Sequence, residues 1–331
     1  LKQWLRKIIQ FILLPALGIS IVWWLFRDQK LSHILNILAN DTNYYWILLS
    51  IAFGILSHLS RAARWQQLLA ATGGKTSLNN SFWAVMTGYF INLLVPRMGE
   101  ISKCGVISKY ENMSFTKVIG TVVVERLFDV LMLLFIFVVV LTLQFELLSE
   151  FLSGNVDVEK MKGAFLSPVT YIVIFSIAVL IYIIRRNRHS IKIFREFSVL
   201  WSKFKDGFSS IRKVNNVPLF WFYTIFMWIM YFAMVYVCFF SFNATSHLGV
   251  LAGFTILLTG SLGMLVPVQG GLGTWHAMVI ATLVLFDVDK EMSAVFALVV
   301  HGAQTLMIII MGLLAFIILP LTNRDKNIDE E

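Results

Sequence analysis

The feature that most constrains this chain is a stretch of 73 residues, 214–286, without a single Lys, Arg, Asp or Glu. Shorter stretches of the same kind cover 8–26, 42–60, 76–96, 163–184 and 292–323. A helix needs about 20 mostly apolar residues to cross the hydrocarbon of a bilayer, and most of these stretches reach that length. None alternates in the ~10-residue segments of a membrane β-barrel. Of 331 residues, 58% are hydrophobic and 14% charged, against roughly 45–50% and about 25% in soluble domains. The chain reads as an all-α polytopic membrane protein, which excludes a soluble enzyme, a secreted disulfide scaffold and a disordered chain.

The net charge is +8. In a soluble protein that balance would suggest nucleic acid; here the positive-inside rule accounts for it, and no nucleic-acid partner is expected. Cys104 and Cys238 read as packing residues, with no disulfide or metal pattern. Neither a metal nor a cofactor is expected. Lys2, Arg6 and Lys7 precede the first apolar run, as in a signal peptide. That run lacks a small-x-small cleavage site and reads as an uncleaved span. The first residue is Leu1, which implies at least an initiator Met before it.

Charge also orders the topology. With a cytoplasmic N-terminus, full spans fall at about 8–26, 44–60, 118–145, 164–184, 217–242 and 292–320. Two further apolar segments, about 78–110 and 249–286, break at Pro96 and Pro267 and read as re-entrant helical hairpins. A full span in place of the first would put Arg97, Lys103, Lys109 and Lys117 outside. Six spans and two hairpins leave 21 Lys and Arg on the cytoplasmic side and 5 outside. The whole of 1–331 is then one membrane domain, with both termini and the tail 322–331 cytoplasmic. Segment 185–213 is basic and amphipathic: Phe194, Phe197, Trp201, Phe204, Phe208 and Ile211 recur at helical spacing. It reads as a cytoplasmic connector, lying on anionic headgroups or packed on the protein.

Residues 91–100, INLLVPRMGE, match residues 262–271, LGMLVPVQGG. Val95-Pro96 falls on Val266-Pro267 and Gly99 on Gly270, at an offset of 171. Each match sits at the centre of an expected hairpin. The halves 1–145 and 164–320 thus read as an inverted repeat, an arrangement that places a site near the midplane between broken helices. Backbone freed by such breaks is tolerated only where protein or a water-filled cavity covers it.

The candidate site residues gather at these breaks. The first tip holds Asn92, Pro96, Arg97, Gly99, Glu100 and Lys103. A helix starting near Gly99 would turn its amide end to the tip, and with Arg97 and Lys103 could hold a phosphate or carboxylate. Alternatively Arg97 pairs with Glu100 and only braces the loop. The third span contains Glu125, Arg126 and Asp129, at spacings that share a face. Ionisable residues inside a span are costly and default to function; they form either the wall of a translocation cavity or an ion pair bracing the span against the hairpin. The second tip holds Gln269, Gly270, Gly271, Gly273 and His276. There the glycines permit close approach, and the histidine is a headgroup or proton contact or a neutral hydrogen-bonded residue. Secondary candidates are His301 and Gln304, one turn apart, and Arg61 and Arg64, which with His58 and Trp65 end the second span at the cytoplasmic surface. Ser261 with His276 or His301 faintly suggests a serine–histidine dyad.

The order Arg61-Ala-Ala-Arg64-Trp65, Asn92-Leu-Leu-Val-Pro96-Arg97-Met-Gly99-Glu100, Glu125-Arg126-Leu-Phe-Asp129, Pro267-Val-Gln-Gly270-Gly271-Leu-Gly273 resembles the lysylphosphatidylglycerol synthase transmembrane family, also called flippase-like or UPF0104. The resemblance covers nearly the whole chain. It implies a bacterial inner-membrane protein that moves a lipid between leaflets, as the flippase half of the multiple peptide resistance factor does. The chain ends at Glu331 without the soluble domain that transfers lysine from tRNA, so synthase activity is not implied. His276 stands where family members often carry an acidic residue, which puts the family's cargo in doubt for this chain.

The expectation is a flippase for a phospholipid or lipid-linked headgroup, with a polar cavity between the two hairpins. Its partners would be membrane lipids, anionic or phosphate-bearing, with a separate lipid-modifying enzyme and homo-oligomer formation as further possibilities. The alternatives are a secondary transporter of a small solute or ion, and a membrane-embedded headgroup or glycosyl transferase using Glu100 with Glu125.

Overall fold

The computed structural model describes residues 14–27, 29, 31–144 and 214–324. The expected span at 164–184, the connector at 185–213 and residues 325–331 of the tail lie outside the described residues. By internal contacts the chain forms two compact units, residues 1–136 with 211–331, and residues 137–210. In the second unit the described residues are 137–144.

The described residues are helical throughout their regular structure. Helix α1 spans Leu14–Phe26, and α2, Leu31–Asn36, runs into a π turn at Ile37–Asp41. Then follow α3 (Tyr44–Ala70), α4 (Leu78–Leu94), α5 (Gly99–Tyr110) and α6 (Phe115–Leu143). After the undescribed stretch come α7 (Val217–Tyr236), extended by a 3-10 turn at Val237–Ser241, α8 (Val250–Leu265), α9 (Thr274–Leu285) and α10 (Lys290–Thr322). Four of these, α3, α6, α7 with its 3-10 turn, and α10, are long and apolar enough to cross a membrane; α8 and most of α1 are shorter apolar helices. The protein is an all-α, multi-span membrane protein.

Polar residues at the edges of the apolar stretches start the long helices. Asn43, Ser77 and Asn216 accept from the amides of Tyr45, Asn80 and Leu219, and Asp289 accepts from those of Glu291 and Met292. Each supplies a partner to an amide that the first turn leaves open.

Helices α3 and α7 pack antiparallel. Ser50 Oγ donates to the Met234 carbonyl at 2.7 Å, and Ser60 Oγ to that of Tyr223 at 2.8 Å. Small hydroxyls bring the two backbones close, as in other membrane helix pairs. Helices α4 and α10 are joined by a reciprocal amide pair between Asn80 and Asn323, at 2.8 and 2.9 Å. Helix α5 folds back along α4, and Gly99 lies against the Gly88 carbonyl and the Asn92 side chain with no room for a Cβ. Helix α9 folds back along α8 in the same way, with Gly263 against the Thr274 backbone and Thr259 and Thr282 hydroxyls 2.8 Å apart.

The two turns differ. Between α4 and α5 the chain needs only residues 95–98, and Arg97 there has φ 63°, a left-handed conformation uncommon outside glycine. Between α8 and α9 it takes residues 266–273, with Gly270, Gly271 and Gly273 at φ 54°, 74° and 82°. The turns meet where Leu93 abuts Gly270. One apolar core gathers around Trp65, Ile107, Phe128 and Phe220, and a second around Phe239, Phe242 and Phe296.

One boundary differs consequentially from expectation. Helix α3 does not end near residue 60 but continues to Ala70. Arg61 and Arg64 are therefore not surface anchors in a loop; they are buried within the helix.

Candidate functional site

The continuation of α3 builds the site. Its two arginines face α6, which presents Glu125, Arg126 and Asp129, and α5, which presents Glu100 and Lys103. Arg61 Nη1 donates to Glu125 Oε1 at 2.5 Å and to Asp129 Oδ2 at 2.9 Å. Arg64 Nη2 donates to Asp129 Oδ1 at 2.7 Å, and Lys103 Nζ to Glu125 Oε2 at 2.6 Å. Arg126 lies 3.4 Å from Glu100 and 3.5 Å from Asp129. The Glu125 and Arg64 side chains have no exposed surface. Burial of a charge without compensation costs several kcal/mol, so the network is intelligible only as a set: Glu125 and Asp129 each hold cations from two helices.

The set does not balance. Arg61, Arg64, Lys103 and Arg126 face Glu100, Glu125 and Asp129, which leaves one positive charge in excess. Arg64 Nε and Nη1 are buried with no hydrogen-bond partner among the described residues. Trp65 supports the cluster from below: its Nε1 donates to Thr121 Oγ1 at 2.9 Å, and Lys103 Nζ lies 4.4 Å from its ring centre.

A narrow cleft opens beside the network, lined among others by Arg61, Tyr89, Asn92, Glu100, Lys103 and Arg126. Asn92 Oδ1 accepts from the Gly99 amide at 2.7 Å and so occupies the start of α5. Pro96 is buried at the tip, whereas Arg97 is exposed. Arg97 does not pair with Glu100, which faces Arg126 instead; the left-handed backbone at Arg97 accompanies this separation.

The candidates of the second turn form a neutral group. Gln269, Gly270, Gly271 and Gly273 make the turn itself. His276 is 2% exposed, and its ring centre lies 4.5 Å from that of His301. His301 Nε2 is 3.0 Å from the Gly270 carbonyl and its Nδ1 is 3.3 Å from Thr305 Oγ1. Gln304 bonds not to this turn but to α3, through Ser50 Oγ at 2.9 Å. Ser261 donates to its own helix, at the Leu257 carbonyl, 2.6 Å away, and forms no dyad with either histidine. Among the described residues no group of three His, Cys, Asp or Glu is placed to hold a metal.

Aromatic neighbours of the network had no place in the sequence reading. Tyr231 OH accepts from Arg61 Nε at 3.2 Å, and the Tyr89 ring tilts against His58 with centres 4.6 Å apart. A signal existed for α3: His58, Arg61, Arg64 and Trp65 keep helical spacing on one face beyond an apolar run. Nothing comparable marks Tyr89 or Tyr231 among so many aromatic residues.

A multi-span helical protein with a buried, cation-rich network beside a broken helix pair is the class that this fold and site define. Residues 8–312 match the family described as the lysylphosphatidylglycerol synthase TM region, and the chain belongs to that family. It is 24% identical over 320 residues to one UPF0104 membrane protein of Methanocaldococcus jannaschii, covering 87% of this chain and 89% of the relative. It is 28% identical over 203 residues to another from the same organism, covering 60% and 81%. No solved structure matches.

Proposed function

We propose that the protein is a flippase-like lipid transporter whose cargo carries a phosphate, held where the buried network meets the cleft. The observation that carries this reading is the excess of cation over carboxylate in a largely buried site, in a chain of this family. Arg64 Nε and Nη1 have no partner among the described residues, and Lys103 and Arg126 line the cleft. A phosphate oxygen is the acceptor that such donors take best. Glu125 and Asp129 hold the cations apart between cargo molecules, while Arg97, exposed at the tip, meets the headgroup on its way in. The second turn, with Gln269 and His276, forms the opposite wall.

In this reading the α4–α5 and α8–α9 pairs are re-entrant hairpins related by an inverted repeat. Four helices of 27, 17, 12 and 29 residues are followed by helices of 20, 16, 12 and 33. The close contact of Gly88 with Gly99 recurs as that of Gly263 with Thr274, at a shared offset of 175. Across the turn the offset grows from 171 at the prolines to 175 at Gly99 and Thr274, because the second turn is four residues longer; Gly88 and Gly263 precede the turns and stand at different distances from them. Alternating access then exchanges the packing of the two halves around the network.

A transferase is disfavoured by the same geometry. Glu125 is bonded to Arg61 and Lys103, and Glu100 faces Arg126, so the two do not form a free acid–base pair. The matched region is the membrane region of the family, which supports transport rather than aminoacyl transfer.

The test is reconstitution with acyl-labelled fluorescent phospholipids. Purified protein should accelerate movement of an anionic phospholipid between leaflets above that in empty vesicles, and Lys103→Met should lower the rate at least tenfold. Protein-containing vesicles no faster than empty ones would falsify the reading.

A further inference from the structure

The excess positive charge of the network has a definite place. At the outer edge Arg126 and Glu100 lie 3.4 Å apart, with side chains 47% and 32% exposed, and as a pair they cancel. Further in stand Arg61, Arg64, Lys103, Glu125 and Asp129, none with a side chain more than 13% exposed. Glu125 accepts from Arg61 and Lys103, and Asp129 from Arg61 and Arg64, all charge-assisted hydrogen bonds. Lys103 Nζ meets Glu125 at 2.6 Å and lies 4.4 Å from the Trp65 ring centre, contacts suited to an ammonium. Arginine is not deprotonated in proteins. Three cations therefore face two carboxylates in the buried part. The charge goes unanswered at Arg64, whose Nε and Nη1 have no partner among the described residues.

The depth of the cluster gives this charge a consequence. Glu125, which binds cations from α3 and α5, is eight positions beyond the exposed Lys117 on α6. That is about 12 Å along the helix axis. With Lys117 at the membrane surface, the cluster stands more than a third of the way into a hydrocarbon layer about 30 Å thick. A charge at that depth feels the membrane potential. A phosphodiester headgroup with one negative charge cancels it while bound.

We infer that the site changes its access as a cation when empty and as a neutral unit when loaded, so that the membrane potential acts on the return step and not on the step that carries cargo. This rests on the phosphate-lipid transport proposed above and adds how that transport is coupled to the potential. With the cell interior negative, the empty site is drawn to face the cytoplasm, where it takes up the next lipid. One elementary charge crossing the whole field shifts an equilibrium about 50-fold per 100 mV, so movement through about a third of the field gives about 4-fold.

The experiment follows acyl-labelled phosphatidylglycerol, which carries one negative charge, in proteoliposomes captured by a C-terminal tag so that one orientation is present. Valinomycin with a potassium gradient clamps the potential. The buffer is at pH 8, where His58, one turn before Arg61 on α3, adds no charge. Two host membranes are compared. In phosphatidylcholine the return step carries the positive charge, whether or not that zwitterion enters the site. In phosphatidylglycerol the return step is loaded and neutral. The wild-type rate should change about 4-fold on applying 100 mV in the first host and less than about 1.5-fold in the second. Glu100→Gln removes one negative charge at the cleft, so its loaded site is a cation and its rate in the second host should become voltage-dependent. Equal voltage dependence of the wild-type protein in both hosts, or none in either, overturns the coupling and leaves lipid transport standing, without reliance on the variant's folding. A Glu100→Gln protein that moves lipid but stays voltage-insensitive in the second host also overturns it. No lipid movement in either host overturns the transport reading, and the coupling with it.

Discussion

Glu125 shows how the network earns its place residue by residue. It is fully buried and accepts from Arg61 and Lys103. Glu125→Ala should destabilise the protein by about 3–5 kcal/mol, because two buried cations lose their counter-charge. Adding Lys103→Met should recover part of that loss, since removing both partners is far less costly than removing one. Thermal unfolding in detergent reads both variants; a double variant as unstable as the single one would show that the ion pair itself is not what holds α5 to α6. Arg97 is the opposite case, exposed, without an ion pair among the described residues, and at φ 63°. Arg97→Gly should leave the unfolding temperature unchanged or raise it, the relief being about 1 kcal/mol. Under the proposed function its transport should nevertheless fall at least tenfold. A stable variant with full transport would remove Arg97 from the path of the cargo.

At the scale of elements, the closeness of α5 to α4 depends on Gly99. A Cβ there would meet the Gly88 carbonyl and Asn92, whereas a Cβ at Gly105 on the same helix meets open space. Gly99→Ala should cost about 1–3 kcal/mol as the helices are forced apart. Gly105→Ala should gain about 0.5–1 kcal/mol from helix propensity. The pair of measurements separates a packing effect from a general intolerance of α5 to change. The helices themselves were legible in the sequence, because runs without charge and breaks at Pro96 and Pro267 are local signals. The reach of α3 to Ala70 was not legible. Arg61 and Arg64 read as the polar end of a span, since the carboxylates that make their burial tolerable lie more than sixty positions further along the chain. The same limit hid the pairing of Glu100 with Arg126 in place of Arg97, which depends on how α5 lies against α6. It also hid the link of Gln304 to Ser50.

For the molecule as a whole, the proposed inverted repeat is conspicuously unequal. Shifted by 175, Arg126 and Asp129 of α6 fall on His301 and Gln304 of α10, while Glu125 falls on Val300. At these positions the first half holds charge and the second neutral hydrogen-bonding groups; under the proposed function the cargo's phosphate would belong to the first half and the second would supply motion and a wall. This asymmetry makes the orientation of the halves testable. With cytoplasmic termini, the α4–α5 turn enters from the cytoplasmic side and the start of α10 lies outside. Single cysteines at Arg97 and Asp289 report on the two sides, and the native Cys104 and Cys238 are both buried, which keeps the background low. In intact cells a membrane-impermeant maleimide should label Asp289→Cys and spare Arg97→Cys; inverted vesicles should give the reverse. Labelling of position 97 from outside would mean that α4 crosses completely. The re-entrant arrangement, and with it the inverted repeat, would then have to be abandoned, although the ion network of α3, α5 and α6 would stand.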